Sequence, residues 1–215
     1  MTEKELKERK FYRADQEADF AKQDIGPPQT LDPAYRLAFQ DKDFLLRQEL
    51  RPVRFQLELL KTEMLLDEAN IASTFVMYGS ARIPSPEKAE AVLASAVTDE
   101  QKVVANRLAE KSKYYTIAHE LAQLAATKGP CGNDGERHFV VTSGGGPSIM
   151  EAANRGAVEV GAETIGLNIV LPHEQAPNDY VTPHLSFQFH YFALRKMHFL
   201  PRARAVAVFP GGFGT

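Results

Sequence analysis

Three times along the chain a run of β-branched, aromatic and small apolar residues stops in a cluster of small residues. Thr74-Phe75-Val76-Met77-Tyr78 runs into Gly79-Ser80-Ala81-Arg82, and Phe139-Val140-Val141-Thr142 into Ser143-Gly144-Gly145-Gly146-Pro147-Ser148. Ala205-Val206-Ala207-Val208-Phe209 runs into Pro210-Gly211-Gly212-Phe213-Gly214-Thr215. Such runs read as short buried strands, and glycine at their ends lets the backbone turn with positive φ and approach a ligand with no Cβ in the way. Periodicity fills the intervals. Strands are predicted over Ser73–Gly79, His138–Thr142, Thr164–Val170, Ser186–Tyr191 and Ala205–Phe209, and helices over 99–127, Pro147–Val160 and Phe192–Leu200. Strands alternating with helices imply right-handed crossovers and a mostly parallel sheet covered on both faces, an α/β, Rossmann-like doubly wound fold. Ligands of such sheets sit at the carboxyl ends of the strands, so the loops after Tyr78, Thr142 and Phe209 carry the question of function.

Ahead of this domain the pattern differs. Residues 1–40 form a flexible tail of mixed charge, with Gly26-Pro27-Pro28 as a turn. From 41 to 72 a helical arm is expected. Leu46, Leu50, Val53, Leu57, Leu60 and Met64 lay one apolar stripe along a helical pair whose second member runs from about Pro52 to Leu66. The stripe predicts packing on the body of the domain or on a second subunit. Residues 73–215 are expected to make the Rossmann-like domain.

Composition removes several classes of function. Lys+Arg 25 against Asp+Glu 28 gives a net charge of −3, so there is no broad basic field for nucleic acid or an anionic membrane. No apolar stretch approaches the roughly 20 residues a membrane span needs, and the charged first 24 residues hold no signal-peptide core, so a cytoplasmic location is expected. The single cysteine, Cys131, cannot form an internal disulfide. His119, His138, His190 and His198 lack a compact ligand spacing, and no metal is inferred.

Where a helix follows a glycine loop at once, unpaired N–H groups and the helix dipole make an anion site, and Pro147 suits such a helix start. One loop alone is explained by a tight turn; three at one sheet edge point to a phosphate-bearing ligand, a nucleotide. The chemistry is narrowed by what is missing. Gly144 and Gly146 match the first two glycines of a dinucleotide fingerprint, but Ile149 stands at the third, and no P-loop or nucleophile elbow occurs. Ser85-Pro86-Glu87-Lys88 matches S-x-x-K without its companion motifs. Glu151 either reaches a sugar hydroxyl or complements the helix dipole. Arg195-Lys196, inside an apolar and aromatic stretch, is either a solvated helix face or a phosphate-binding or catalytic pair.

The run Ser143 to Ala157 (SGGGPSIMEAANRGA), then Arg195-Lys196, then Pro210 to Thr215 (PGGFGT) resemble the successive motifs of the LOG (Lonely Guy) phosphoribohydrolases, long labelled lysine decarboxylases. The resemblance extends over about Thr74 to Thr215 and, with the helical arm, is to the longer bacterial members. It implies hydrolysis of the N-glycosidic bond of a nucleoside 5′-monophosphate, AMP or an N6-prenylated AMP, to free base and ribose 5-phosphate. It makes Arg195 the catalytic arginine and places the phosphate on Gly211, Gly212, Gly214 and Thr215. Further substrate contacts are expected from Gly79, Ser80, Ser143, Gly144, Gly145, Gly146, Met150, Glu151 and Lys196. No cofactor or metal is implied, and a homodimer or higher homo-oligomer is. Ser148 stands where many members have glycine.

The family's last motif continues to a glutamate three residues beyond the threonine, whereas this sequence ends at Thr215. The expectation is therefore a chain truncated or incomplete at its carboxyl end, with impaired stability and little glycosidase activity. A non-catalytic nucleotide-binding or sensing module is the alternative. Pyridoxal-dependent lysine decarboxylation has little support, because no lysine lies in a motif connected with a Schiff base.

Overall fold

The computed structural model of the 215-residue chain describes residues 13–21, 26–129, 135–171 and 176–212. Cys131, Gly214 and Thr215 lie outside them. The chain divides into two compact units, Met1–Gln56 and Leu57–Thr215.

In the first unit no described residue is buried. It holds helix α1 (Ala14–Ala21) and isolated turns, among them Lys42–Leu45 and Gln48–Leu50. Asp32 and Asp41 each accept a backbone N–H at the start of a turn, from Ala34 at 2.8 Å and from Phe44 at 3.1 Å, the standard device for satisfying unpaired donors. The expected first member of the helical pair is thus reduced to single turns. The second member exists as α2 (Arg51–Glu68), with Pro52 in its first turn, where no N–H is required. The packed face of α2 is not the apolar stripe. Thr62 and Leu66 are buried, whereas Leu57, Leu60 and Met64 are 52%, 55% and 56% exposed, a rotation of the helix that leaves the stripe facing solvent.

The second unit is a five-stranded, wholly parallel sheet. Its strands are β1 (Thr74–Tyr78), β2 (Val140–Ser143), β3 (Ile165–Ile169), β4 (Ser186–Phe189) and β5 (Ala203–Val208). Between them lie α3 (Pro86–Ser95), α4 (Asp99–Lys128), α5 (Ile149–Glu159) and α6 (Phe192–His198). Spatial order is β4-β3-β2-β1-β5. The chain winds outward from β1 through β4 and then returns to the other side of β1, so the order reverses between β1 and β5 and the fold is doubly wound and Rossmann-like.

Strand residues alternate between two cores. Phe75 and Met77 pack with Tyr115, Ala118 and Ala122 of α4 and with Ala153 of α5. Val76 packs on the opposite face with Leu66, Leu167, Phe187 and Phe199. Helix α3 escaped the sequence reading, although Ser85 caps it by accepting the Lys88 N–H at 3.3 Å and Pro86 opens it. The S-x-x-K match is this cap. Helix α4 begins with a capping box, Thr98 with Gln101. Among the described residues no helix is long and apolar enough to cross a membrane.

Helices α4 and α5 meet through small residues. A Cβ on Gly156 would strike the His119 carbonyl oxygen and lie 3.1 Å from the Ala122 Cβ. Both obstacles belong to the α4 core, and neither is the end of a flexible side chain. Gly156→Ala is therefore expected to destabilise the protein by about 1–3 kcal/mol through overpacking, read as a lower urea midpoint with an unchanged slope.

Candidate functional site

A cavity of about 860 Å³ opens at the carboxyl ends of β1 and β5, where the strand order reverses. Backbone bonds knit its loops together. The Phe209 N–H donates to the Tyr78 carbonyl at 2.8 Å, the Ser80 N–H to Pro210 at 3.1 Å, and the Ile149 N–H to Ser80 at 3.4 Å. Gly79 is required at this junction, because the Ile149 side chain occupies the space its Cβ would take. The Ser80 hydroxyl accepts the Arg82 N–H at 3.0 Å and turns the chain along the cavity wall.

Arg195 of α6 is the half-buried cation of the cavity. Its Nε donates to the Leu167 carbonyl at 2.5 Å and Nη2 to the Gly144 carbonyl at 3.4 Å. The rings of Phe199 and Phe192 lie 5.5 and 5.9 Å from its Cζ, within cation–π range. Among the described residues no carboxylate pairs with it. Burial pushes its pKa down, opposed by the Tyr78 hydroxyl, yet an arginine keeps its proton at any ordinary pH. A cation partly removed from water, with no carboxylate beside it among the described residues, attracts an anion. Lys196, 4.9 Å over the Phe192 ring, lines the same cavity with Arg82 and Lys111. Every charged residue in the described lining is a cation, in a chain of net charge −3.

The cavity brings together Gly79, Ser80, Gly144, Met150, Arg195, Lys196, Gly211 and Gly212. Four other residues expected at the site from the sequence lie off its lining: Ser143, Gly145, Gly146 and Glu151. The Ser143 hydroxyl is buried and donates to Asn154 Oδ1 at 2.7 Å while accepting the Gly145 N–H at 3.0 Å, so it shapes the loop. Gly145 has φ +70° and packs on the Asn168 amide. Asn178 braces the far side, its N–H on the Gly145 carbonyl at 2.8 Å and its Nδ2 on the Gly146 carbonyl at 2.9 Å. Glu151 faces α3 and α4: Oε1 accepts the Tyr115 hydroxyl at 3.1 Å and Oε2 lies 3.9 Å from Lys88 Nζ. Burial, with Glu151 next, pushes the Tyr115 hydroxyl up to about 12.

Helix α5 starts at Ile149 and not at Pro147. Ser148 is its N-cap residue, with φ +67°, a conformation that favours glycine. The Ser148 hydroxyl donates to the Ile83 carbonyl, which ties down that strained residue. With the Ile149 N–H given to Ser80 and the Gly145 N–H to Ser143, the second glycine loop presents Gly144 alone to the cavity.

Phe192, Phe199, Arg82 and Lys111 are lining residues that the sequence reading did not single out. The two rings stand three before and four after Arg195, one face of a helix, so helical spacing carried that signal. Lys111 is one charge among many on a long polar helix and carried none.

The fold and site define an α/β protein with a cationic cavity at the switch point of its sheet. The family model described as "possible lysine decarboxylase" matches residues 150–215, the stretch that holds Arg195, Lys196 and the last glycine loop. A solved structure titled as the X-ray structure of TM1055, a Northeast Structural Genomics Consortium target, is similar at 24% identity with a TM-score of 0.40. The similarity covers 64% of this chain and 61% of that one. No curated protein matches.

The name of that family implies pyridoxal phosphate, which needs a lysine for its Schiff base and a partner for its ring nitrogen. Lys111 and Lys196 line the cavity but are exposed, and no carboxylate lies in the described lining. The residues present do not fit that group.

If Arg195 is the anion contact, Arg195→Ala weakens binding of AMP by about tenfold or more, because a charge-assisted pair is lost from a partly desolvated site. Isothermal calorimetry on the two proteins reads the ratio, and equal affinities would place the anion elsewhere.

Proposed function

We propose that the cavity binds a nucleoside 5′-monophosphate and that the protein hydrolyses its N-glycosidic bond, releasing base and ribose 5-phosphate. The observation that carries this reading is the Arg195 guanidinium, half-buried beside Gly144 and held by two carbonyls and two aromatic rings with no carboxylate among the described residues. The resemblance of residues 143–157, 195–196 and 210–215 to the LOG motifs supports the substrate, and the family-model match over 150–215 supports the class.

The reaction draws on what such a site supplies. Backbone at Gly211 and Gly212, with Lys196, holds the phosphate, and Arg195 meets negative charge on the nucleotide. The ring passes through an oxocarbenium-like state as the C1′–N bond breaks. Water's oxygen joins C1′, the bonding electrons and one proton go to the base nitrogen, and nothing else is consumed. That step calls for a carboxylate to take the water's proton. The described lining contains none, and the resemblance assigns the role to a glutamate three residues past Thr215.

The cations of the described lining serve equally a second reading, a module that binds the nucleotide without cleaving it. Product chromatography after incubation with AMP and with N6-isopentenyl-AMP separates the two. Hydrolysis predicts free base and ribose 5-phosphate in equal amounts and no inorganic phosphate. Nucleotide that binds and returns intact overturns the enzymatic reading.

A further inference from the structure

Helix α6, which carries Arg195, is only seven residues long. A helix of that length makes few bonds of its own and depends on what its ends are fastened to. No side chain of its own N-cap residue, Tyr191, caps it. A carboxylate from α2 holds the two residues that lead into it: Glu58 Oε1 accepts the His190 N–H, and Oε2 accepts the Tyr191 N–H at 3.2 Å. The other end meets α2 again one turn further along. Glu63 Oε1 lies 3.2 Å from His198 Nδ1, and Oε2 accepts from Arg202 Nε at 3.2 Å and Nη2 at 2.7 Å. Arg202 also donates to Asp67 at 2.7 Å and to the Ile71 carbonyl at 2.5 Å. The His198 side chain is 1% exposed.

We propose that Glu58 is a positioning residue for Arg195: with Glu63 at the far end it clasps α6 to α2 and so fixes where the guanidinium meets the ligand. The geometry of Arg195 makes this placement matter. Its two hydrogen bonds go to the Leu167 and Gly144 carbonyls, groups of β3 and of the loop after β2 that lie outside α6. A slip of α6 by about one ångström takes the guanidinium off both carbonyls and away from the anion, and misplacement on that scale is costly in a preorganised site. Burial pushes the His198 pKa down, with Glu63 and Glu58 opposing and Arg202 adding to it. The rear clasp sets the imidazole beside a carboxylate–guanidinium pair, and the contact at the front is the Glu58 carboxylate on two backbone N–H groups. The apolar stripe of α2 faces away from these clasps.

The proposal rests on the reading that Arg195 meets the ligand, and its test separates the two. The Arg195 Nε–H, bonded to the Leu167 carbonyl, gives a resolved nitrogen-15 signal whose exchange with water reports its placement without any ligand. Glu58→Leu is expected to speed that exchange and to weaken AMP binding, each by about tenfold or more, because two hydrogen bonds to a charged group are lost. Glu58→Gln keeps one accepting oxygen and should fall between, a rescue that mere destabilisation of the fold does not predict. If Glu58→Leu does not fold, the glutamine variant decides alone. Exchange at Arg195 unchanged from wild type overturns the proposal even if the melting temperature drops, and so does faster exchange with unchanged AMP affinity. A wild-type protein with a protected Nε–H that fails to bind AMP overturns the nucleotide reading, and exchange alone then decides the clasp.

Discussion

A guanidinium taken half out of water without a carboxylate beside it carries a free-energy cost that fixed dipoles or an incoming anion must offset. In this chain the fixed part comes from the Leu167 and Gly144 carbonyls and from the faces of Phe192 and Phe199. Carbonyls and ring faces solvate the cation and leave its charge uncancelled. Much of the second unit is arranged to make that possible: β3 supplies one carbonyl, the loop after β2 another, and α6 holds the side chain at the junction.

The doubly wound order provides the place. The strand order reverses between β1 and β5, and the cavity is lined by the residues that follow their carboxyl ends. Backbone bonds from Ser80 to Pro210 and from Ile149 to Ser80 hold the walls, so the cavity does not rest on flexible side chains. Close approach explains its glycines. A Cβ on Gly144 would lie 2.5 Å from Arg195 Nη2 and 2.8 Å from Met150 Sδ, so the cation takes up its position because that residue has no side chain.

The sheet was legible in the sequence, because buried parallel strands are apolar runs and the runs at 74–78, 140–143 and 165–169 stand out between helical stretches. That the glycine loops lie at one edge of it was legible from topology. Which residues of those loops face the cavity was not. The loop after β2 is held by hydrogen bonds to Asn154 and Asn178, with the Asn168 amide packed against Gly145; these partners lie up to 32 residues away, and local spacing carries no trace of them. The position of Glu151 on its helix suggested a sugar contact, and nothing in local spacing signalled that its Oε1 accepts the Tyr115 hydroxyl from α4. The α2 stripe does not pack on the domain, for a related reason. A helix that meets its domain through the carboxylates Glu58 and Glu63 and through Leu66 does not announce its packed side by hydrophobicity.

The central claim is that one cationic cavity, between the ends of β1 and β5 and under Arg195, receives a nucleotide. Titrating the nitrogen-15-labelled protein with AMP tests it most directly. Saturable shifts at the Arg195 Nε–H and at the amides of Gly79, Ser80, Gly144, Gly211 and Gly212, all with one dissociation constant, are the predicted result. Shifts confined to other surfaces, or none at millimolar AMP, would contradict it.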